Sequence, residues 1–239
     1  MKICITNDDG IHSEGLLRLV DWAQQLGEVY VYAPKVEQSA KSHAVEIHKA
    51  FEAKPASVAG AVRAWAVDST PADCVRFAVL GQHEQFDLVI SGVNRGLNIG
   101  QDIMYSGTVS AAMEAVALGI NGLALSTEPE TFDEAFAYLD RVWAYICENK
   151  LYEKARLWNI NIPLNTTGEM RITRQGGPYY SDDFAPEEND MYRPMGKEIY
   201  QPTEKSNYDT DCTLRDRAIS ISPLTVDRTE WKAFESLKK

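Results

Sequence analysis

The feature that most constrains the fold is a strand–helix–strand pattern at the start of the chain. Ile3-Cys4-Ile5-Thr6 is a short apolar run, after which Leu16, Leu17, Leu19, Val20, Ala23 and Leu26 recur at helical spacing. Val29-Tyr30-Val31-Tyr32-Ala33 is a second apolar run, stopped by Pro34. Ser13 is placed to cap the helix and Gly27 lies just past its end. An apolar strand, an amphipathic helix and another apolar strand make a βαβ unit. Its right-handed crossover makes the strands parallel and brings both carboxyl ends to one edge of the sheet.

The alternation continues. Residues 44–67 read as short strands or a hairpin excursion. Thr70-Pro71-Ala72-Asp73 signals a helix running through Val79, with Thr70 as cap, Pro71 in its first position and Asp73 completing a capping-box-like arrangement. Asp87–Ser91 is a buried strand, 109–118 an alanine-rich helix closed by Gly119, and Gly122–Ser126 a strand. A helix from about Phe132 to Cys147 and a strand at Leu157–Ile162 complete the series, ended by Pro163. The expected fold is therefore α/β, a Rossmann-like, doubly wound, mainly parallel sheet over residues 1–163. Residues 164–239 read as a C-terminal extension, with β-hairpins in 165–211, a late strand at Ala218–Leu224 and a terminal helix at Asp227–Leu237. Tyrosines 179, 180, 192, 200 and 208 on this arm point to an interface rather than to a catalytic site.

Composition narrows the function classes. With 24 Lys and Arg against 35 Asp and Glu, the net charge is -11, which disfavours binding to a nucleic-acid polymer. A small anionic substrate then needs a local cation. Cys4, Cys74, Cys147 and Cys212 are far apart, form no C-x-x-C pair and are expected to be core thiols of a reducing compartment. No apolar run is long enough to span a bilayer, and only a short strand precedes the first turn, so the expected location is cytoplasmic, with no membrane partner.

The first strand ends abruptly at Asn7-Asp8-Asp9-Gly10. Two adjacent acids where a buried strand meets the surface repel each other unless a cation sits between them. Asn, Asp and Gly also dominate ordinary turns, so the tetrapeptide alone leaves both readings open. Two further loops reach the same edge. Residues 34–43 carry Gln38, Ser39, Lys41 and Ser42, and Gly92–Gly100 offers Asn94 and Asn98 among glycines at every fourth position, without the G-x-G-x-x-G spacing of a dinucleotide site. Ser106-Gly107-Thr108 then opens the alanine-rich helix, where exposed N–H groups and the positive dipole end favour a phosphate, although one hydroxyl can simply cap the helix. Carboxylate, hydroxyl and carboxamide oxygens suit Mg or Mn and not zinc. His12 and His43 lie near these loops and can shuttle a proton or serve structure alone.

Taken together, these motifs carry a family resemblance. Asn7–Gly10, Ala33-Pro34 with Gln38-Ser39, Thr70–Cys74, Ser91–Gly100 and Tyr105–Val109 resemble the SurE survival-protein family of metal-dependent nucleotidases. The match is dense to about Ser126 and sparser at Asn159–Pro163, Thr173–Gly176, Asp209–Asp211 and Ile219–Leu224. The resemblance implies a cytoplasmic phosphatase acting on nucleoside monophosphates, with a C-terminal arm used in homodimers or homotetramers. It implies one divalent metal ion, Mg or Mn, held by Asp8, Asp9, Ser39 and Asn94, with phosphate bound by Asn98, Ser106, Gly107 and Thr108. Asp8 and Asp9 would be the catalytic carboxylates, with a metal-activated water attacking directly. Two departures stand out: Ala40 and Ser69 occupy positions where the family usually has glycine. A non-catalytic nucleotide sensor would use the same sheet edge without turnover. A nicotinamide-dependent dehydrogenase fits the fold but not the paired acids of the first turn, which would repel a pyrophosphate.

Overall fold

The computed structural model describes residues 1–204 and 206–238; residues 205 and 239, both within the expected extension, lie outside the described residues. Among the described residues eleven strands occur in chain order: β1 (Lys2–Thr6), β2 (Glu28–Pro34), β3 (Ala53–Ala56), β4 (Arg63–Val67), β5 (Leu88–Arg95), β6 (Asn121–Thr127), β7 (Leu157–Ile162), β8 (Met170–Ile172), β9 (Tyr180–Pro186), β10 (Tyr192–Glu198) and β11 (Ile219–Leu224). The helices are α1 (Glu14–Ala23), α2 (Pro71–Arg76), α3 (Gly107–Ala117), α4 (Asp133–Glu148), α5 (Leu151–Lys154) and α6 (Trp231–Leu237).

Nine strands form one sheet in the order β3-β4-β2-β1-β5-β6-β7-β11-β8. From β1 the chain builds outward one way through β2 and β4 and the other way through β5, β6 and β7, and all of these neighbours are parallel. The order therefore reverses between β1 and β5, the place where open α/β sheets bind ligands.

Strand periodicity divides the core. Ile3 and Ile5 pack on one face with Leu16, Leu19 and Val20 of α1 and Leu139, Val142 and Ile146 of α4. Cys4, pointing the other way, joins Tyr32, Cys74, Val75, Ala111 and Ala115 beneath α2 and α3. Each fully buried Leu or Ile here contributes about 1.5–3 kcal/mol. Burying both faces explains why β1 and β2 read as near-continuous apolar runs.

Several local expectations are corrected. Helix α2 ends at Arg76, and Phe77–Gly81 continues as a wider π-type turn. Thr70 does cap α2, accepting from the Asp73 amide at 3.1 Å, but the Asp73 carboxylate accepts from Ser69 Oγ and the Glu46 amide, so only half of a capping box forms. Ser13 holds the N-cap position of α1 without a capping bond, because its hydroxyl accepts from Asn7 Nδ2. Three of the thiols are buried as expected, whereas Cys147 is exposed on the last turn of α4.

Strand β5 runs on to Arg95, with a register shift between Ser91 and Asn94, so part of the expected loop is ladder. After Pro163 the chain returns to the central sheet, where β11 pairs antiparallel with β7 and parallel with β8. The expected hairpin is present as β9 and β10, which pair only with each other. No helix among the described residues is long and apolar enough to cross a membrane.

Candidate active site at the carboxyl edge

The acidic turn is held by its own backbone and by Asn7. Asn7 Nδ2 donates to the Gly10 carbonyl (3.0 Å) and Ser13 Oγ (2.6 Å), while the Gly10 amide donates back to Asn7 Oδ1 (3.2 Å). Asn7 thus closes the turn and ties it to the start of α1. The next loop is fastened to the same turn, since the Gln38 amide donates to the Asp8 carbonyl (2.7 Å) and the Ile11 amide to the Pro34 carbonyl (2.8 Å).

Asp8 is 6% exposed, and Thr108 Oγ1 donates to its Oδ1 at 2.6 Å. Burial pushes its carboxyl above the usual range, opposed by the Thr108 hydroxyl and by backbone amides that include that of Thr108. The start of α3 therefore already holds an anion, the Asp8 carboxylate. Gly107 makes this approach possible: a Cβ there would lie 2.9 Å from Asp8 Cβ and 3.0 Å from its Oδ2. Ser106 caps α3, its Oγ accepting from the Val109 amide at 3.0 Å. Its hydroxyl proton stays free to donate elsewhere.

Beside it, Asp9 carries the sharper electrostatic signature. Burial, and then the charge of Asp8, push its carboxyl up to about 6. Its Oδ2 is buried with no hydrogen-bond partner among the described residues. An ionised oxygen left unpaired at such a depth is costly, so the site is complementary to a cation.

The remaining donors close round these acids. Asp8, Asp9, Ser39, Asn94, Asn98 and Ser106 all line one open cavity of about 370 Å³. Ser39 Oγ donates to Glu37 Oε1 at 2.6 Å, and Asn94 Nδ2 donates to the Gly96 carbonyl at 2.7 Å, which leaves the Asn94 amide oxygen as its available ligand. The donor set is all oxygen, as a hard divalent ion requires. No group of three or more His, Cys, Asp or Glu suited to a metal is present among the described residues, so an ion here would rely on the neutral oxygens of Ser39 and Asn94 beside the two acids.

Of the residues proposed from sequence, Thr108 and Gly107 do not line the cavity but stand behind Asp8. His43 Nε2 is paired with Glu114 Oε2 at 2.8 Å, beneath which Arg76 also bonds Glu114, and neither His43 nor His12 lines the cavity. Sequence reasoning missed Glu37, Arg95 and Asp102 as lining residues and Asn7 as the turn's brace. Arg95 follows Asn94 directly and brings a cationic side chain to this edge, its guanidinium 3.9 Å from Glu14 and 5.1 Å from the Phe132 ring centre.

Both departures from the family pattern have local consequences. Ala40 sits at φ +56°, the left-handed region that favours glycine. Ser69 donates to the nearly buried Asp73 carboxylate at 2.5 Å, a bond that glycine would lack.

Known proteins match the chain along its length. The family model described as survival protein SurE matches residues 3–182. Proteins named 5'-nucleotidase SurE from Desulforudis audaxviator and Syntrophotalea carbinolica are 38% and 37% identical to the chain, with all of the chain and 97% of each relative covered. A third so named, from Thermococcus gammatolerans, is 36% identical over all of the chain and 95% of its own length. The crystal structure of a SurE protein from Aquifex aeolicus superposes with a TM-score of 0.78 at 30% identity, covering 100% of this chain and 98% of that one. With residues 3–182 matched by the family model, relatives 36–38% identical over the whole chain and a solved SurE structure matched along its full length, the chain belongs to the SurE family.

Proposed function

We propose that the chain is a 5'-nucleotidase that hydrolyses nucleoside monophosphates to nucleoside and phosphate in the presence of one divalent ion, Mg or Mn. Its enzyme class follows from its family. The single observation that carries the metal-dependent reading is the Asp8–Asp9 pair at the switch point of the sheet, Asp8 buried and Asp9 half-buried with a buried Oδ2 that has no partner among the described residues. Asp8, Asp9, Ser39 and Asn94 would hold the ion. When bound, such an ion neutralises charge on the phosphate and lowers the pKa of a water.

The chain's own groups do the rest. Asn98, Ser106 and the Arg95 guanidinium bind and orient the anion, and Gly107 and Thr108 serve through Asp8. Without a compensating cation the paired carboxylates repel a phosphate dianion, so the same acids that bind the ion also guard against binding substrate alone. Water attacks phosphorus, one carboxylate of the pair takes a proton from it, and the nucleoside oxygen leaves with the electrons of the broken ester bond and takes up that proton, which restores the carboxylate. The exposed aromatics of the β9–β10 hairpin and of α6 support a homodimer or homotetramer.

The test is phosphate release from 5'- and 3'-nucleotides, an aryl phosphate and polyphosphate, with and without each ion. Asp9→Asn should abolish metal-dependent release while the fold is retained, because a neutral amide binds a cation more weakly. Unchanged turnover in Asp9→Asn would remove Asp9 from the mechanism. Nucleotide binding without any phosphate release would leave the sensor reading.

A further inference from the structure

Two fully buried asparagines in the middle of the sheet take no part in the reaction described above. Asn159 and Asn161 are adjacent same-face positions of β7, each at 0% exposure, where Leu or Ile would bury at no polar cost. Both side chains converge on the backbone of one residue, Asn98. Asn161 Oδ1 accepts from the Asn98 amide (2.7 Å), and Asn159 Nδ2 and Asn161 Nδ2 both donate to the Asn98 carbonyl (2.8 and 2.9 Å). From β6, Ser126 Oγ meets the Asn98 side-chain amide at 2.7 Å. Asn98 Nδ2 donates this bond and Ser126 Oγ accepts it, which fixes the amide with one of its two hydrogens and leaves the other for the cavity.

Two residues further on, the loop is gripped again. Asp209, from the segment before β11, accepts from the Gly100 amide with both carboxylate oxygens (3.1 Å each) and from the Gly176 amide at 2.8 Å. Gly100 sits at φ +59°, and a Cβ there would fall 2.2 Å from the Gly177 carbonyl oxygen, so the backbone is seated against the C-terminal segment. Between these anchors lies Ile99, fully buried, so packing holds the middle of the segment while polar groups hold the backbone on either side of it.

We infer that Asn159 and Asn161 are positioning residues that hold Asn98 in the phosphate-binding arrangement, with Asp209 completing the clamp at Gly100. The inference rests on the reading of Asn98 as a phosphate contact. It gives the buried polar strand a purpose: side-chain amides replace the regular ladder partners that an irregular loop lacks, and rigidity is transferred from the sheet to the site.

The test compares the unaltered chain with Asn161→Leu and uses inorganic phosphate as its probe. Calorimetry with Mg or Mn present measures phosphate binding, steady-state rates give KM and kcat for a nucleoside monophosphate, and thermal melting measures the fold. Phosphate Kd and KM should both rise roughly tenfold or more, with kcat falling less. A residue that only supports the core would lower Tm and the active fraction while Kd and KM stayed within about twofold, and that result would overturn the inference. Should Asn161→Leu fail to fold, Asn159→Ala carries the same test, since it removes one of the two donors to the Asn98 carbonyl. An unaltered chain that binds no phosphate would overturn the reading of Asn98 and the inference with it. If that chain binds phosphate and the variants match it, only the inference falls.

Discussion

The clearest single perturbation of the site is Thr108→Val. Thr108 is fully buried, and its hydroxyl donates to Asp8 Oδ1 at 2.6 Å. Valine keeps the shape and removes only the donor, so no cavity term enters. A hydrogen bond to a charged group contributes about 1.5–3 kcal/mol. If that bond orients Asp8 as an ion ligand, its loss appears in the affinity for the ion; 2 kcal/mol corresponds to about thirtyfold at 1.4 kcal/mol per decade. The loss of a comparable outer partner at metal sites costs about 10–100-fold, which brackets the same value. Calorimetric titration with Mn, and phosphate release against metal concentration, should both shift by this factor, with Tm as the control for folding. A variant that stays folded and binds Mn within about twofold of the unaltered chain would refute the argument. Asp8 would then be oriented by burial and by the backbone of α3 alone.

Three further outcomes are expected. Ala40→Gly should stabilise the chain by about 0.5–1 kcal/mol in denaturant unfolding, because Ala40 sits at positive φ and glycine relieves that strain despite its greater freedom when unfolded. Arg95→Ala should raise KM for a nucleoside monophosphate by about fivefold or less at low salt, with the difference shrinking as salt is added, since the guanidinium is half exposed. Asp216, gripped by Arg215 and also by Arg171, has its carboxyl lowered to about 2. A lowered folded value means stability that is present above the unfolded value and lost as pH falls from about 4 toward 2. Asp216→Asn should remove on the order of 1 kcal/mol of that acid-limb loss after discounting for solvent screening, as read from unfolding curves at each pH.

Much of this molecule is set by local sequence. Apolar runs at β1, β2, β5, β6 and β7 and the helical spacing of α1 and α4 are properties of neighbouring residues, so strand, helix and their alternation follow without a partner. The loops that end those strands follow too, because a parallel sheet delivers its carboxyl ends to one edge; Asp8, Asp9, Ser39, Asn94, Asn98 and Ser106 meet at one cavity for that reason.

How each polar group is used follows instead from contacts between distant parts of the chain. The α3 terminus was legible as an anion site, but that its anion is Asp8 depends on a contact across a hundred residues. Asn159 and Asn161 read simply as members of a strand until β7 was seen beside the loop of Asn98. The late strand β11 and the brace from Asp209 are likewise long-range pairings, and sequence periodicity carries no record of which distant backbone a side chain will meet. Periodicity encodes which face is buried; hydrogen-bond partners are chosen only when the chain has closed on itself.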